Sequence, residues 1–595
     1  MIASIKNRVR FYLLRIKHAS VAELLTRVFQ QVKIIRIHVS PISNIENRLK
    51  RFDLPCFENL ELPDLVLSAS PVEIERILNG KKYTLGDSGL EETDIRARWE
   101  PARLQHVAVL TATLLKEQIP PAEEKRVDAF AKREVLNWID ENPFPRGNHY
   151  TSAMECGLRI PVFISLLKLV PVNENTFRKI LAAIYQHAWL ISNKLSLYSS
   201  LGNHTITEAV GLIFAGSVFH NLSEGRAWLE KGFELLEQEL GHQIMEDGGP
   251  NEQSLNYHRF VLDLYWLATD FLEKNRIKDC GSLKALLEKG ERFLKAFGDS
   301  MTSCPAIGDS DDGHAVAPGI HPVRRVAEKQ IRPLEVFENT GYSVISLENG
   351  VNLTFDHGPL GMAPLYNHGH ADAMAITLTK NGKGMLVDPG TFRYNGSPIF
   401  RSYFKGTRAH NTVTIDGSDQ AVQETGFIWS RPYKSVLERV TSNDAEIFIR
   451  ACHDGYTRLR EPVIHKRSIW CFNRSCFLIK DTFSGKGRHT FELNFHLHPF
   501  STCREEEGGF AIDNEDQKIF LKPLGRDNTR IIIGKEDPPF GWYSPRYGIK
   551  IESPVLTCRV EGIPEDVEFI TAIGTDCALD ETVIGQKLAE ICKND

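Results

Sequence analysis

Between Tyr366 and Thr412 the chain reads YNHGHADAMAITLTKNGKGMLVDPGTFRYNGSPIFRSYFKGTRAHNT. His368 and His370 stand two apart, Asp388 follows eighteen residues after His370, and His410 comes twenty-two after that. Apolar residues alternate in DAMAITLTK and GMLVDPG, which predicts two strands whose ends carry these polar groups. On a strand, residues two apart face the same way, so His368 and His370 are expected to point into one site. Two imidazoles and a carboxylate from separate strand ends can meet around one cation. Zinc accepts that donor mix, with water in the fourth position. A plainer alternative has each histidine closing a loop, and the doublet in NHGHAD argues against it.

The order NHGHAD, DPGT, AHNT resembles the C-terminal domain of the heparinase II/III superfamily of polysaccharide lyases. The resemblance implies that His368 lies in a catalytic cleft and that His370, Asp388 and His410 bind a structural zinc ion; it implies no organic cofactor. It also implies that a tyrosine between the metal aspartate and the later histidine takes part. Tyr394 and Tyr403 both lie in that interval, with Tyr394 ranked first.

Three clusters in the first half carry further resemblance. NPFPRGNHYTSAMECGLR is similar to a family helix start and implies that Asn148, Glu155 and Arg159 line a cavity, although His149-Tyr150 stands where the family has Trp. Glu155 and Arg159 are also four apart, the spacing of a helix-face ion pair. In SLGNHTITEAVGL, Asn203 and His204 precede a helix, where such residues ordinarily cap. The resemblance implies instead that they hydrogen-bond the carboxylate of a uronate. EDGGPNEQSLNYHRFVLDLYW resembles the segment whose tyrosine is catalytic, which maps to Tyr257 with Glu252 and His258 beside it.

These residue types suit elimination across a uronic-acid glycosidic bond. Removing the C5 proton next to an ionised carboxylate builds a dianion, and hydrogen bonds from Asn203 and His204 would offset that charge. One group takes the proton and another donates to the departing O4; Tyr257 and His368 are the expected pair, with their roles open. A tyrosine base needs its phenol pKa, ordinarily about 10, brought down by nearby positive charge, for which Arg159 or His258 is the candidate. Glycoside hydrolysis is an alternative with Glu100, Glu155, Glu208 and Glu252 as acids, but none sits in a paired-acid motif. A non-catalytic polysaccharide-binding or exopolysaccharide-assembly protein is a second alternative.

The elements that must hold these groups are legible in outline. With 595 residues the chain exceeds one compact core. From Asp94 to Phe297, apolar residues recur every three or four positions in eight successive segments, which predicts helices with one buried stripe each. From Tyr342 onward, short alternating runs separated by Gly, Asn and Asp predict an antiparallel sandwich. With the resemblance, the expected fold is multidomain α + β: an incomplete (α/α) toroid followed by a large antiparallel β-sandwich. The expected divisions are an N-terminal arm over 1–93, the toroid over 94–303, a linker over 304–330 and the sandwich over 331–595. The acidic cluster Asp309, Asp311 and Asp312 lacks an EF-hand ligand set and is expected to be a solvated or hydrogen-bonded turn.

Composition narrows the partners. A net charge of -6 and no sustained Lys/Arg block leave no basic footprint for nucleic acid. An anionic polysaccharide remains compatible, because a cleft can be basic while the whole is acidic. Eleven scattered cysteines without a CxxC pair indicate free thiols. No apolar run reaches the length of a membrane span. The N-terminus lacks a signal-peptide pattern, so the expected location is cytoplasmic, with periplasmic or membrane-peripheral placement as alternatives. Its basic amphipathic start is expected to pack on its own domain. No motif addresses oligomeric state.

Overall fold

The computed structural model describes residues 29, 32–33, 45–83, 94–115, 119–197, 202–298, 304–324, 326, 332–506, 508–525, 528–575 and 580–594. The basic amphipathic start, residues 1–25, lies outside them. Two compact units interleave along the chain. One joins Met1–Ile244, Arg259–Glu288 and Gly313–Val326; the other joins Met245–His258, Lys289–Asp312 and Ala327–Asp595.

The first unit is helical. Pro121–Glu141 buries Val127, Phe130, Ala131, Val135 and Trp138, the single stripe that its three- and four-residue spacing predicts. Ala153–Leu169 and Asn203–Val218 differ: almost every residue in both is buried. A helix apolar all round belongs inside other helices. The two approach so closely that a Cβ on Gly157 would lie 2.5 Å from the Thr207 carbonyl oxygen, and one on Gly211 would lie 2.8 Å from Gly157 Cα. Only glycine permits that separation. Residues 45–83 add three short helices and the strand Leu65–Leu67, which pairs antiparallel with Ile320–Pro322. The ring of Phe57 packs edge-on against Phe177 on the helix Glu174–Asn193, with centroids 5.6 Å apart.

The second unit is antiparallel β-structure. Five strands from Leu334–Phe337 to Lys383–Leu386 form a meander in chain order. An eight-stranded sheet runs from Ser435–Ser442 at one edge to Thr502–Glu506 at the other, and a four-stranded sheet has Val413–Ile415 at one edge. One apolar core takes Leu353 and Ile376 from the first sheet, Ile469 and Ile479 from the second, and Val413 and Leu493 from the third. The alternating runs read from the sequence are strands here: Tyr342–Ser346, Ile376–Lys380, Cys476–Gly485 and His489–His496 among them.

Candidate active site

Two stretches of the β-rich unit converge on one carboxylate. Asp309 is fully buried. Arg401, on the short helix Pro398–Phe404, grips both its oxygens, Nη1 to Oδ1 at 2.5 Å and Nη2 to Oδ2 at 2.9 Å. His368 Nδ1 lies 3.1 Å from Oδ2, and His370 Nε2 lies 3.2 Å from Oδ1. An ionised carboxylate only accepts hydrogen bonds, so both facing ring nitrogens carry protons. Burial pushes the Asp309 pKa up, yet Arg401 and the two imidazoles outweigh it and hold the group well below the ordinary carboxylate range.

This is a correction to the sequence reading at two points. The aspartate cluster, expected to be a solvated or hydrogen-bonded turn outside the site, is hydrogen-bonded, with Asp309 and Asp311 buried against the site histidine and tyrosine. The HGH doublet is not on a strand: residues 357–375 form the loop between Val351–Asp356 and Ile376–Lys380. His368 and His370 still meet in one place, because the two oxygens of one carboxylate collect them. Hydrogen bonds to the loop carbonyls fix the arrangement, with Asp309 N donating to the His368 carbonyl at 2.9 Å and the Trp429 side-chain Nε1 donating to the Gly369 carbonyl at 2.9 Å.

Tyr257 arrives from the first turn of the helix Leu255–Lys274. Ser254 caps that helix by accepting from Tyr257 N at 3.1 Å and donates its hydroxyl to the Asp309 carbonyl at 2.6 Å. The cap thereby ties the tyrosine to the aspartate segment. Tyr257 Oη donates to Asp311 Oδ2 at 2.6 Å and lies 3.0 Å from Tyr394 Oη. The rings of Tyr257 and His368 lie against one another with centroids 4.0 Å apart, tilted by 31°. Burial works against a charged His368, but the Asp309 hydrogen bond and the fields of Glu252, Asp309 and Asp311 raise its pKa above the ordinary imidazole value. Such a histidine holds its second proton into the neutral range and suits an acid.

Tyr394 has the Arg401 guanidinium 5.0 Å over its ring, and its backbone N donates to Tyr547 Oη at 2.9 Å. Tyr403 is turned to a different task, its hydroxyl accepting from Gly541 N at 3.1 Å. Glu252 and His258 are buried, and the His258 ring packs edge-on to Phe293 at 5.5 Å.

His370, Asp388 and His410 each bring one ligand atom within 4.8 Å of the others, and all three are buried. Asp388 follows the strand Lys383–Leu386 and His410 follows the 3₁₀ turn Thr407–Ala409. His370 Nδ1 and His410 Nε2 are buried without a hydrogen-bond partner among the described residues. An imidazole whose far nitrogen is held by a carboxylate while its near nitrogen faces a second imidazole and a carboxylate is the arrangement of a zinc ligand. Burial lowers the His370 pKa to about 4, the neutral form a metal needs.

Asn148, Glu155, Arg159, Asn203 and His204 lie in the helical unit and are described within it. Glu155 is buried and paired with Arg103, Oε1 to Nη2 at 2.9 Å and Oε2 to Nε at 3.0 Å. Arg159 does not form the helix-face pair with Glu155 that their spacing allows. Its Nε donates to His187 Nε2 at 3.0 Å, its Nη2 donates to the His149 carbonyl at 2.7 Å, and its guanidinium covers the Trp138 ring at 4.5 Å. Asn148 begins a 3₁₀ turn, and its carbonyl accepts from Trp99 Nε1 at 2.9 Å. Asn203 and His204 open the helix Asn203–Val218 after Gly202, whose φ of 99° suits glycine alone. Asn203 is buried and His204 half-buried.

Residues 121–313 match the family model described as heparinase II/III N-terminus, and residues 329–566 match heparinase II/III-like, C-terminal. The chain belongs to the heparinase II/III family. This family member is 23% identical over 426 residues to a heparin-sulfate lyase of Bacteroides stercoris, covering 67% of the chain and 60% of that relative. It is 22% identical over 473 residues to a heparin-sulfate lyase of Bacteroides thetaiotaomicron, covering 70% and 64%. It therefore spans less than two thirds of the length of each. A crystal structure of heparinase III superposes with a TM-score of 0.63 at 18% identity over 81% of this chain and 77% of that one. The fold is thus that of an α/α toroid followed by antiparallel β-sheets.

Sequence reasoning passed over Asp309, Asp311 and Arg401 as site residues. Nothing in the spacing of GDSDDG separates a buried carboxylate from a solvated one. The available signal was chemical: two histidines facing one site call for a carboxylate to orient them, and the aspartate cluster that includes Asp309 stood in the segment before the sheets.

Proposed function

We propose that the protein is a polysaccharide lyase that cleaves a uronate-containing polymer by β-elimination. The observation that carries this reading is the close pair of Tyr257 and His368, one phenol and one imidazole with ring centroids 4.0 Å apart, each held by its own aspartate. Tyr257 takes the C5 proton. His368, with its pKa raised and its Nδ1 on Asp309, presents Nε2 as the acid for O4. The C5–H electron pair becomes the C4=C5 double bond as the C4–O4 bond breaks. Asn203 and His204 are assigned to the uronate carboxylate on the family motif, where their hydrogen bonds offset the charge built during proton removal. Asn148, Glu155, Arg159, Glu252 and His258 keep their assignment to substrate binding on the same ground.

Two side chains lying side by side work on one face of a sugar ring. In a gluco-configured uronate the C5 proton and O4 share a face, whereas in an ido-configured uronate they lie on opposite faces. Glucuronate is therefore the expected residue. The test is to incubate the protein with unsulfated and sulfated glucuronate polymers and with an iduronate-rich polymer, following the ultraviolet absorbance of the unsaturated product. Product from the glucuronate polymers is expected; absence of product from all of them overturns the reading, and product from the iduronate-rich polymer alone overturns the stereochemistry.

His370, Asp388 and His410 would hold zinc, and the chemistry supplied there is bracing of the loop that carries His368. Elimination consumes no water, so the mechanism has no step for an activated one. Hydrolysis is less well supported: Glu100 and Glu155 are both bound to Arg103, which removes them as a free acid pair.

A further inference from the structure

We infer that Asp311 is the terminal proton acceptor of the reaction, receiving the Tyr257 hydroxyl proton as Tyr257 takes the proton from C5. This rests on the lyase reading above. Three aspartates stand in the segment Asp309 to Asp312, and their surroundings divide the work. Both oxygens of Asp309 are occupied by Arg401, His368 and His370. Asp312 Oδ2 accepts from the backbone of Tyr547 at 2.9 Å. Asp311 is aimed at the phenol, at 2.6 Å.

The direction of each proton follows from the inventory of donors. An ionised Asp311 has no proton to give, so the single hydroxyl hydrogen of Tyr257 lies on the line to Asp311. Tyr394 Oη, 3.0 Å away, is then the donor toward Tyr257 Oη. Tyr394 sits under the Arg401 guanidinium, which favours electron-rich oxygen along this path. The chain of donors runs Tyr394 to Tyr257 to Asp311. A phenol in this arrangement need not exist as a free tyrosinate, which a neighbouring carboxylate would disfavour. Its oxygen gains the C5 proton as its own proton passes to Asp311.

The step balances. The C5–H bond and the Tyr257 O–H bond break; a new Tyr257 O–H bond and an Asp311 O–H bond form. The C5–H electrons enter the C4=C5 bond, the C4–O4 electrons leave with O4, and O4 is protonated by His368. Between turnovers Asp311 returns its proton to water and His368 takes one up. Asp311 does not touch the sugar in this scheme and acts through Tyr257, so it is a positioning residue with a proton-accepting role.

The test compares Asp311→Asn, Asp311→Glu and wild type on an unsulfated glucuronate–glucosamine polymer. Asparagine keeps an oxygen that accepts a hydrogen bond but is no base. A fall in kcat of roughly a hundredfold or more with KM within about threefold is expected for Asp311→Asn, with partial recovery in Asp311→Glu. Asp311→Asn retaining kcat within about threefold of wild type overturns the inference. A rise in KM alone, equal in both variants, overturns it also. A second readout needs no turnover: ultraviolet difference titration of each protein against its Tyr257→Phe counterpart isolates the ionisation of that phenol. Loss of the carboxylate is expected to bring it to lower pH by about one unit or more; an ionisation unmoved by Asp311→Asn overturns the pairing whatever the activity. If wild type yields no unsaturated product, the lyase reading falls while the titration still decides the pairing.

Discussion

At the scale of single residues, Asp309 does two jobs that mutation can separate. It neutralises the buried Arg401 and it orients His368 and His370. Asp309→Asn leaves a guanidinium buried without its counter-charge, which costs about 3–5 kcal/mol, so a clear fall in Tm is expected. Adding Arg401→Met removes the stranded charge, and much of the lost Tm should return. Activity should not return, because His368 Nδ1 still lacks the carboxylate that keeps it protonated and in place; a loss of about a hundredfold or more is expected in both variants. Thermal melts and product release on the same two samples decide this, and a double variant that recovers activity would reduce Asp309 to a stabilising residue. The corresponding check on the proposed acid and base is simpler. Tyr257→Phe and His368→Ala should each lose roughly a hundredfold or more in kcat, with folding judged from unchanged far-ultraviolet circular dichroism.

Among the elements, the loop over residues 357–375 is expected to decide whether the site forms. Gly369 separates the two histidines, and a Cβ there would fall 1.6 Å from the Leu360 carbonyl oxygen. Gly369→Ala must therefore displace the loop, moving His368 and His370 together. Zinc content measured by atomic emission is expected near one per chain in wild type and in Tyr257→Phe, and near zero in His410→Ala and Gly369→Ala. A chelator should lower Tm in the first pair and leave the second unmoved. If Gly369→Ala keeps full zinc, the loop tolerates the shift and the close approach does not define the site. The same loop marks the limit of what the sequence disclosed. The strands on either side, Val351–Asp356 and Ile376–Lys380, were legible because apolar and polar residue types alternate in VNLTFD and ITLTK, although burial along them does not. HGH was legible as a functional doublet but not as loop. What holds it is a carboxylate fifty-nine residues away from His368 in the chain, and periodicity carries no information about such a partner. Likewise, Ala153–Leu169 and Asn203–Val218 were readable as helices while their all-round burial was not, since the glycines that let them touch look like helix breakers in isolation.

Over the whole molecule, stability is expected to depend on pH through a group other than the phenol and imidazole. Glu208 lies one turn beyond His204 in the helix Asn203–Val218, fully buried, and accepts hydrogen bonds from Ser196 N at 2.8 Å and Ser196 Oγ at 2.5 Å. Burial dominates over those bonds and over the nearby Lys194, and it raises the carboxyl pKa to about 8 from an ordinary value of 4.5. The folded chain thus holds a proton that the unfolded chain has released between those two values. Stability from this group is fully present below about pH 4.5 and is lost as pH rises through about 8, because unfolding then releases an ionised carboxylate into water. Glu208→Gln keeps an acceptor for Ser196 N and removes the titration. Its Tm, followed by the helical circular dichroism signal, should fall less steeply than that of wild type from pH 5 to 9 and should exceed it at the alkaline end. Parallel curves for the two proteins across that range would mean that Glu208 is ionised in the folded chain, with its charge carried by Lys194 and the Ser196 hydrogen bonds after all.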